Sequence, residues 1–263
     1  FPLADRRAYF SYFLYEENVL DYGKFSGIVD YVKSESLWHW IMRFAMKELH
    51  LSPDTIFWFI SFLCLFAFAY FILGALKSWA LILLVNPLLI DLALSQFRLA
   101  LASSLLLLSY MSRRKVLLTA TFAICIFIHT ATFLFAGIYA GVWAIKKGLV
   151  DNDVNWKWVL LTCFLLGLCA STAIGPAAEY ILAYVGDRRV SVYAGNAANS
   201  WKYISFWIGL LAVCSIQGDR FFRNVVNRYS VAVLSLVSTT LVTGGYTSRV
   251  LAVSLPMLIV TLW

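Results

Sequence analysis

The sequence predicts an all-α, polytopic integral membrane protein. Of its 263 residues, 62% are hydrophobic and 13% are charged, and an ordinary water-soluble core of this size cannot enclose so much apolar surface. Apolar runs of about 20 residues, the length that a helix needs to cross about 30 Å of hydrocarbon, recur along the chain. None of them shows the alternation that is typical of a membrane barrel strand.

Residues 1–53 are the least membrane-like part, because they mix many charges with aromatic rings. They predict an interfacial segment. Within it, 36–51 has apolar residues at helical spacing, which predicts an amphipathic helix lying on the bilayer surface. Those apolar residues are Leu37, Ile41, Phe44 and Ala45.

Residues 54–263 form the predicted transmembrane domain, with about nine membrane segments. They are expected at 54–76, 79–94, 96–112, 116–128, 130–145, 157–174, 201–216, 229–243 and 250–263. The stretch 116–145 is ambiguous, because a single helix there would be about 45 Å long, too long for an untilted crossing. We favour a hairpin with His129 at its tip. We also expect a first helix before Phe1 and a further part after Trp263.

Basic residues in short loops give the orientation, since Lys and Arg accumulate on the cytoplasmic side. With the hairpin, one face receives Lys77, Arg113, Arg114, Lys115, Lys146, Lys147, Lys157, Arg220, Arg223 and Arg228. The opposite face then receives residues 1–53, Arg98, His129, a loop at 175–200 and Arg249. If 116–145 were one helix, Arg98 and His129 would lie on the other side from the later residues.

Arg98 opens an apolar span, where an arginine costs roughly 2.5–3.5 kcal/mol to insert, or less near the interface. It is either an interfacial anchor, an ion-pair partner of Asp91, or a ligand for phosphate or carboxylate, which a guanidinium binds bidentately. His129 is the only histidine in the predicted membrane core. It is either a satisfied structural group or a general acid or base.

Arg249 repeats the pattern of Arg98, since it opens an apolar span after a glycine-containing approach. Candidate binding residues on the same predicted face are Asp5, Arg6, Arg7, Glu35, Asp187, Arg188, Arg189, Tyr193 and Tyr246.

The sequence lacks a Walker loop, HExxH, a CxxC pair, GxSxG and an acidic doublet for Mg²⁺. It therefore predicts a site without metal or cofactor, and nucleic acid is excluded because the positive residues are divided between two membrane faces.

The run "SQFRLALASSLLLLSYMSRRKVLLTATFAICIFIHTATFLF" resembles the centre of the EpsG family of Wzy-type O-antigen and exopolysaccharide polymerases, where "IRQ-x-L-A" is followed by "FH-x-SA". "ADRRAYFSYF" and "SESLWHWIMRFAMKELHLSPDTIF" resemble its N-terminal part. The chain departs from the family in having Gln96 before the arginine instead of after it, and Ser36 where the family has proline. The resemblance implies a GT-C-like fold with Arg98 and His129 in the active site, Gln96 as a binding residue, and Arg249 as a late arginine.

The resemblance also implies a metal-independent glycosyltransferase of the bacterial inner membrane. It would join undecaprenyl-diphosphate-linked repeat units, as donor and acceptor, on the periplasmic face for O-antigen, lipopolysaccharide or exopolysaccharide synthesis. Membrane lipid and a chain-length regulator protein are its expected partners. The alternatives are a flippase of lipid-linked oligosaccharides, a membrane-bound acyltransferase and a structural subunit of a larger complex.

Overall fold

The computed structural model describes Tyr9 and residues 27–184, 201–244 and 247–263. These residues form α-helices, one 3₁₀ helix and one π-helical turn, and contain no β-strand. The chain divides into two compact units, Phe1–Phe133 and Leu134–Trp263. The expectation of a helical protein is confirmed for the part of the chain that the structure describes.

The first unit contains α1 (Ile28–Lys33), α2 (Ser36–Lys47), α3 (Pro53–Ala75), the 3₁₀ helix (Ser78–Leu84), α4 (Pro87–Ser95), α5 (Phe97–Met111) and α6 (Lys115–Cys125). Its core is formed where α3 and α6 pack against α5. Polar caps and prolines set the starts of α3 and α4. The Ser52 side chain accepts from the Thr55 amide and the Asn86 side chain accepts from the Leu88 amide, so each satisfies an amide that the helix leaves unpaired.

The second unit contains most of α7 (Thr132–Ile145), the π-helical turn (Lys146–Val150), α8 (Trp156–Ile174), α9 (Pro176–Tyr184), α10 (Trp201–Ser215), α11 (Asp219–Arg223), α12 (Val225–Thr243) and α13 (Thr247–Leu262). Its centre is the contact of α8 with α12. A Cβ at Gly167 would lie 2.4 Å from the Ala232 carbonyl oxygen. Only glycine allows this close approach, and the Thr239 hydroxyl donates to Ser171 Oγ across the same contact at 2.8 Å.

Among the described residues, four helical segments are long and apolar enough to cross a membrane, namely Pro53–Ala75, Thr132–Val150, Trp156–Ile174 and Val225–Thr243. The 3₁₀ helix and α4 together make a fifth candidate, with a bend of 69° between them. The protein is thus a helical membrane protein, with four to five candidate spans in the part of the chain that the structure describes. The other predicted spans correspond to shorter apolar helices of 10–17 residues, less than the roughly 20 residues of a complete crossing.

The structure differs from the sequence-based expectation within three elements of the predicted fold. The expected span 79–94 is broken at Asn86, because Pro87 has no amide hydrogen to continue the preceding helix. The expected loop 175–200 contains α9 up to Tyr184, while 185–200 lies outside the described residues. The expected surface helix is α2, which buries Trp38, Met42 and Ala45.

The buried stripe of α2 is rotated relative to the expected one, because Leu37 and Ile41 are only half-buried and Phe44 is exposed.

Arg228, expected in a cytoplasmic loop, also differs from the expectation. Its side chain is fully buried at the start of α12. Its guanidinium donates to the carbonyl oxygens of Phe222 and Arg223. The Arg228 side chain therefore satisfies two backbone carbonyls at the end of α11.

Candidate active site in the first unit

The site is built around Glu35, the residue immediately before α2. Its backbone is left-handed, with φ 51° and ψ 47°, a conformation that costs a non-glycine residue roughly 1–2 kcal/mol. Its side chain does not cap the helix that follows, and the residue is 2% exposed. A strained, buried carboxylate of this kind is characteristic of functional positions.

The Glu35 carboxylate receives donors from two distant parts of the chain. Oε2 forms an ion pair with the Arg98 guanidinium. Oε1 lies 2.5 Å from His129 Nδ1, and it accepts from the Thr130 amide at 3.1 Å and the Thr130 hydroxyl at 3.3 Å. Glu35 thus joins α5 to the turn between α6 and α7.

These partners determine where the protons lie. The Arg98 guanidinium favours the ionised form of the Glu35 carboxylate, and an ionised carboxylate accepts on both oxygens. With Glu35 ionised, the matching tautomer of a neutral His129 donates from Nδ1 and carries its lone pair on Nε2. Nε2 has no hydrogen-bond partner among the described residues, and the His129 side chain is 13% exposed.

Arg98 is the second residue of α5, so its positive charge lies at the positive end of the helix dipole, which is unfavourable. The ion pair with Glu35 compensates for this placement. The Arg98 Nε also donates to the Tyr9 hydroxyl at 2.8 Å, and the guanidinium carbon is 5.2 Å from the centre of the Tyr9 ring. Arg98 is 28% exposed, whereas the Glu35 side chain is 3% exposed, so the cation is the more accessible partner.

An aromatic cluster surrounds the Arg98 side of the site. Tyr9 makes edge contacts with Trp38 and Phe97, at centroid distances of 5.8 Å and 5.7 Å. Phe57 and Phe97 are stacked, with centroids 4.2 Å apart and planes 4° apart. Trp38, Phe57 and Phe97 are each 1% exposed, and electrostatic interactions are stronger beside such buried apolar surface than in bulk water.

His129 lies in the turn 126–131, which is held at both ends. The Leu37 amide in α2 donates to the Phe127 carbonyl at 3.1 Å. The Thr132 hydroxyl donates to the Cys125 carbonyl at 3.1 Å. The turn is therefore tied to the residues that follow Glu35, and it separates 116–145 into two helices; whether the chain reverses direction there remains a prediction.

Beside Arg98, Gln96 and Asp91 form a separate polar pair. Gln96 Nε2 donates to Asp91 Oδ2 at 2.6 Å. This is the only interaction described for Asp91, so the proposed ion pair between Asp91 and Arg98 is wrong: Glu35 provides the carboxylate. Gln96 separates α4 from α5 and is 7% exposed.

The structure brings together three of the residues singled out in the sequence, Arg98, His129 and Glu35. Arg249 lies in α13 of the other unit and is half-buried. The remaining candidates, Asp5, Arg6, Arg7, Asp187, Arg188, Arg189, Tyr193 and Tyr246, lie outside the described residues. Sequence reasoning missed Thr130 and Tyr9, although Thr130 directly follows His129 and Tyr9 belongs to the motif "ADRRAYFSYF".

No three His, Cys, Asp or Glu side chains come together as a metal site in the described ranges. No family model matches the chain, and neither a curated protein nor a solved structure matches it. The resemblance to the EpsG family therefore rests on the sequence motifs alone. The function has to be argued from the site itself.

Proposed function

We propose that this chain is a metal-independent glycosyltransferase that polymerises undecaprenyl-diphosphate-linked repeat units. The observation that carries the proposal is the contact of one buried carboxylate, Glu35, with both Arg98 and His129. A polymerisation step needs a base for the attacking sugar hydroxyl and positive charge near the leaving diphosphate. Arg98 and His129 would supply these two functions.

His129 would act as the general base. Its Nδ1 is bound to Glu35, so the lone pair of Nε2 is available to take the proton of the acceptor hydroxyl. Glu35 would orient the ring and stabilise the imidazolium that forms, the role of the carboxylate in other carboxylate–histidine catalytic pairs. The hydroxyl oxygen would then attack the anomeric carbon as the bond to the diphosphate breaks.

Arg98 would stabilise the charge that develops on the leaving diphosphate. Fixed charges of this kind contribute about 10²–10³-fold in rate at other sites. Because Glu35 already compensates one positive charge, the diphosphate would require a further cation, and Arg249 is our candidate. Its position relative to Arg98 remains a prediction.

The wider setting is also part of the proposal. We place the site on the periplasmic face of a bacterial inner membrane, in a GT-C-like protein of about nine membrane segments, with a chain-length regulator as a partner. The four to five candidate spans support the membrane location. The buried ion pair at the start of α5 supports a site near one end of a span, since a charge is expensive at the bilayer centre.

A flippase of the same lipid-linked sugars is the second candidate. The 69° bend between the 3₁₀ helix and α4 favours it, because interrupted helices commonly form binding sites in transporters. A flippase moves its substrate without breaking the sugar–diphosphate bond. The two functions therefore differ in whether a covalent product forms.

The test uses the purified protein in lipid vesicles. Its substrate is the lipid-linked repeat unit extracted from cells that lack this gene. We expect a ladder of polymer and release of undecaprenyl diphosphate from the wild type. Absence of both from folded wild-type protein would reject the polymerase.

Arg98→Ala and His129→Ala are each expected to lower the initial rate of polymer formation about 10²-fold or more, so that no long-chain ladder accumulates. The matched controls are Arg43→Ala and His50→Ala, because both residues are exposed. Wild-type chain lengths in the two site variants would refute the proposed roles. Insertion into the membrane is measured for all four variants, so that a folding defect is recognised.

A further inference from the structure

α3 and α5 lie side by side in the first unit and run in the same direction. Near their starts, Phe57 stacks on Phe97 with ring centroids 4.2 Å apart. Near their ends, Phe71 contacts Tyr110 at a centroid distance of 6.2 Å. The two helices differ in length, because α3 has 23 residues and α5 has 15. At about 1.5 Å per residue, they are about 34 Å and about 22 Å long.

α6 returns from the far end of α5 toward the site. The two helices are joined at 112–114, and the Cys125 thiol at the end of α6 donates to the Ala102 carbonyl of α5 at 3.7 Å. α6 has 11 residues, so it is about 16 Å long. The α5–α6 pair therefore has the site with Arg98 at one end. Its other end carries a basic turn, formed by the exposed residues Arg113, Arg114 and Lys115.

The outward surface of α6 is apolar between these two charged ends. Val116 is 84% exposed, Ile124 is 50% exposed, and Ala120 between them is also exposed. Apolar side chains are favourable in hydrocarbon and charged ones are not. Acyl chains of a bilayer therefore fit this face. Phosphate headgroups fit the basic turn by charge.

The height of this face is smaller than the thickness of a bilayer. The charged ends are about 22 Å apart, whereas a hydrocarbon core is about 30 Å thick. In a bilayer of that thickness, with the basic turn among the headgroups of one leaflet, the Arg98–Glu35 pair would lie about 8 Å below those of the other. Charges are expensive in hydrocarbon, and Arg98 is 28% exposed. A bilayer accommodates a short apolar segment by becoming thinner beside it.

We propose that the exposed face of α6 contacts a locally thinned bilayer, in which one layer of phospholipid headgroups lies level with Arg98 and His129. The acyl chains cover 116–124, and the other headgroup layer meets the basic turn. The inference goes beyond the proposed function and does not depend on it. An anionic headgroup in the thinned region reaches the Arg98 guanidinium without leaving its leaflet.

The test measures membrane depth along α6 with nitroxide spin labels. The labels are attached to Val116→Cys, Ala120→Cys and Ile124→Cys, one at a time, in vesicles of dioleoyl-phosphatidylcholine. The background carries Cys169→Ser, because Cys169 is exposed whereas the other cysteines are buried. Depth is obtained from power saturation with oxygen and with a water-soluble nickel complex.

The matched control is α3, which is long enough to cross a bilayer of ordinary thickness. Its exposed positions Phe59, Phe66 and Leu73 are labelled in the same way, as Phe59→Cys, Phe66→Cys and Leu73→Cys. The label at Phe66 is expected to be the deepest of the three, at about 15 Å, which is half of a hydrocarbon core.

On α6 we expect the labels at Ala120 and Ile124 to lie at similar depths of about 8 Å, because these positions flank the middle of a layer about 22 Å thick. A label at Ile124 about 6 Å deeper than the one at Ala120 is the profile of an unthinned bilayer and would overturn the proposal. If either variant does not insert, Thr119→Cys and Ala123→Cys, at exposed positions four residues apart, give the same comparison. The measurement needs no polymer formation, so failure of the proposed polymerase would leave it unaffected.

Discussion

Replacing Glu35 by glutamine tests whether the buried carboxylate holds the site together. Glutamine preserves the shape of the side chain and can still accept from Thr130, but it cannot form an ion pair with Arg98. Removing one partner of a buried ion pair costs about 3–5 kcal/mol. Arg98 is 28% exposed, and water therefore compensates part of the loss, which reduces the expected destabilisation to about 2–3 kcal/mol.

The assay is reversible unfolding in mixed micelles at increasing SDS fraction, followed by tryptophan fluorescence. A loss of about 2–3 kcal/mol corresponds to roughly a 30- to 150-fold change in the unfolding equilibrium. The control is Glu48→Gln, which changes the exposed residue that follows α2. Surface substitutions of this kind usually fall within about 0.5 kcal/mol of wild type.

Equal stabilities for Glu35→Gln and Glu48→Gln would refute the reasoning. Such a result would mean that the Glu35–Arg98 ion pair contributes no more to stability than a neutral glutamine side chain in its place. A destabilisation in Glu35→Gln alone would agree with a carboxylate that joins α5 to the turn carrying His129.

Three further substitutions test particular contacts. Gly167→Ala is expected to destabilise the protein by about 1–3 kcal/mol, because the new Cβ would lie 2.4 Å from a backbone carbonyl of α12. The control is Gly209→Ala, whose new Cβ would have nothing within 4 Å. It should be neutral or slightly stabilising. Equal unfolding midpoints for the two glycine variants would contradict the close approach of α8 and α12. Tyr9→Phe keeps the ring but removes the acceptor of the guanidinium, and a loss of about 1.5–3 kcal/mol is expected in the same unfolding assay; wild-type stability would show that this hydrogen bond contributes nothing. Thr130→Val keeps the amide donor and removes the hydroxyl, so the polymer-forming rate should fall less than in His129→Ala, and a greater fall would assign the hydroxyl a larger role.

The helical membrane class can be predicted from the sequence, because a lipid bilayer directly requires an apolar composition and apolar runs long enough to cross it. The start of α3 follows from local chemistry, since Ser52 and Pro53 form an N-terminal signal that any membrane helix can use. The 69° bend near Asn86 could not be predicted from the same information. A proline shows where a helix is interrupted, but the direction of the next helix depends on packing, here on the Ser61 hydroxyl that donates to the Ala93 carbonyl at 2.6 Å.

Arg98 and His129 could be singled out in the sequence because each is a polar residue in an apolar run. Glu35 could not be recognised as their common partner, because it is 63 positions from Arg98 and 94 from His129. Asp91, much closer in sequence, is one of the partners that the sequence offers for Arg98, but in the structure it accepts from Gln96 instead. Long-range pairing of this kind depends on how α2 packs against the turn 126–131, which periodicity does not encode.

The central claim is that Glu35 and His129 act as one catalytic unit, and a double-mutant cycle on the initial rate of polymer formation tests it most directly. The rate is measured in vesicles for wild type, Glu35→Gln, His129→Ala and the double variant. Residues that act as a unit are strongly non-additive, so the double variant should be no slower than His129→Ala alone. Rate losses that multiply in the double variant would show that the two residues act independently and would contradict the account.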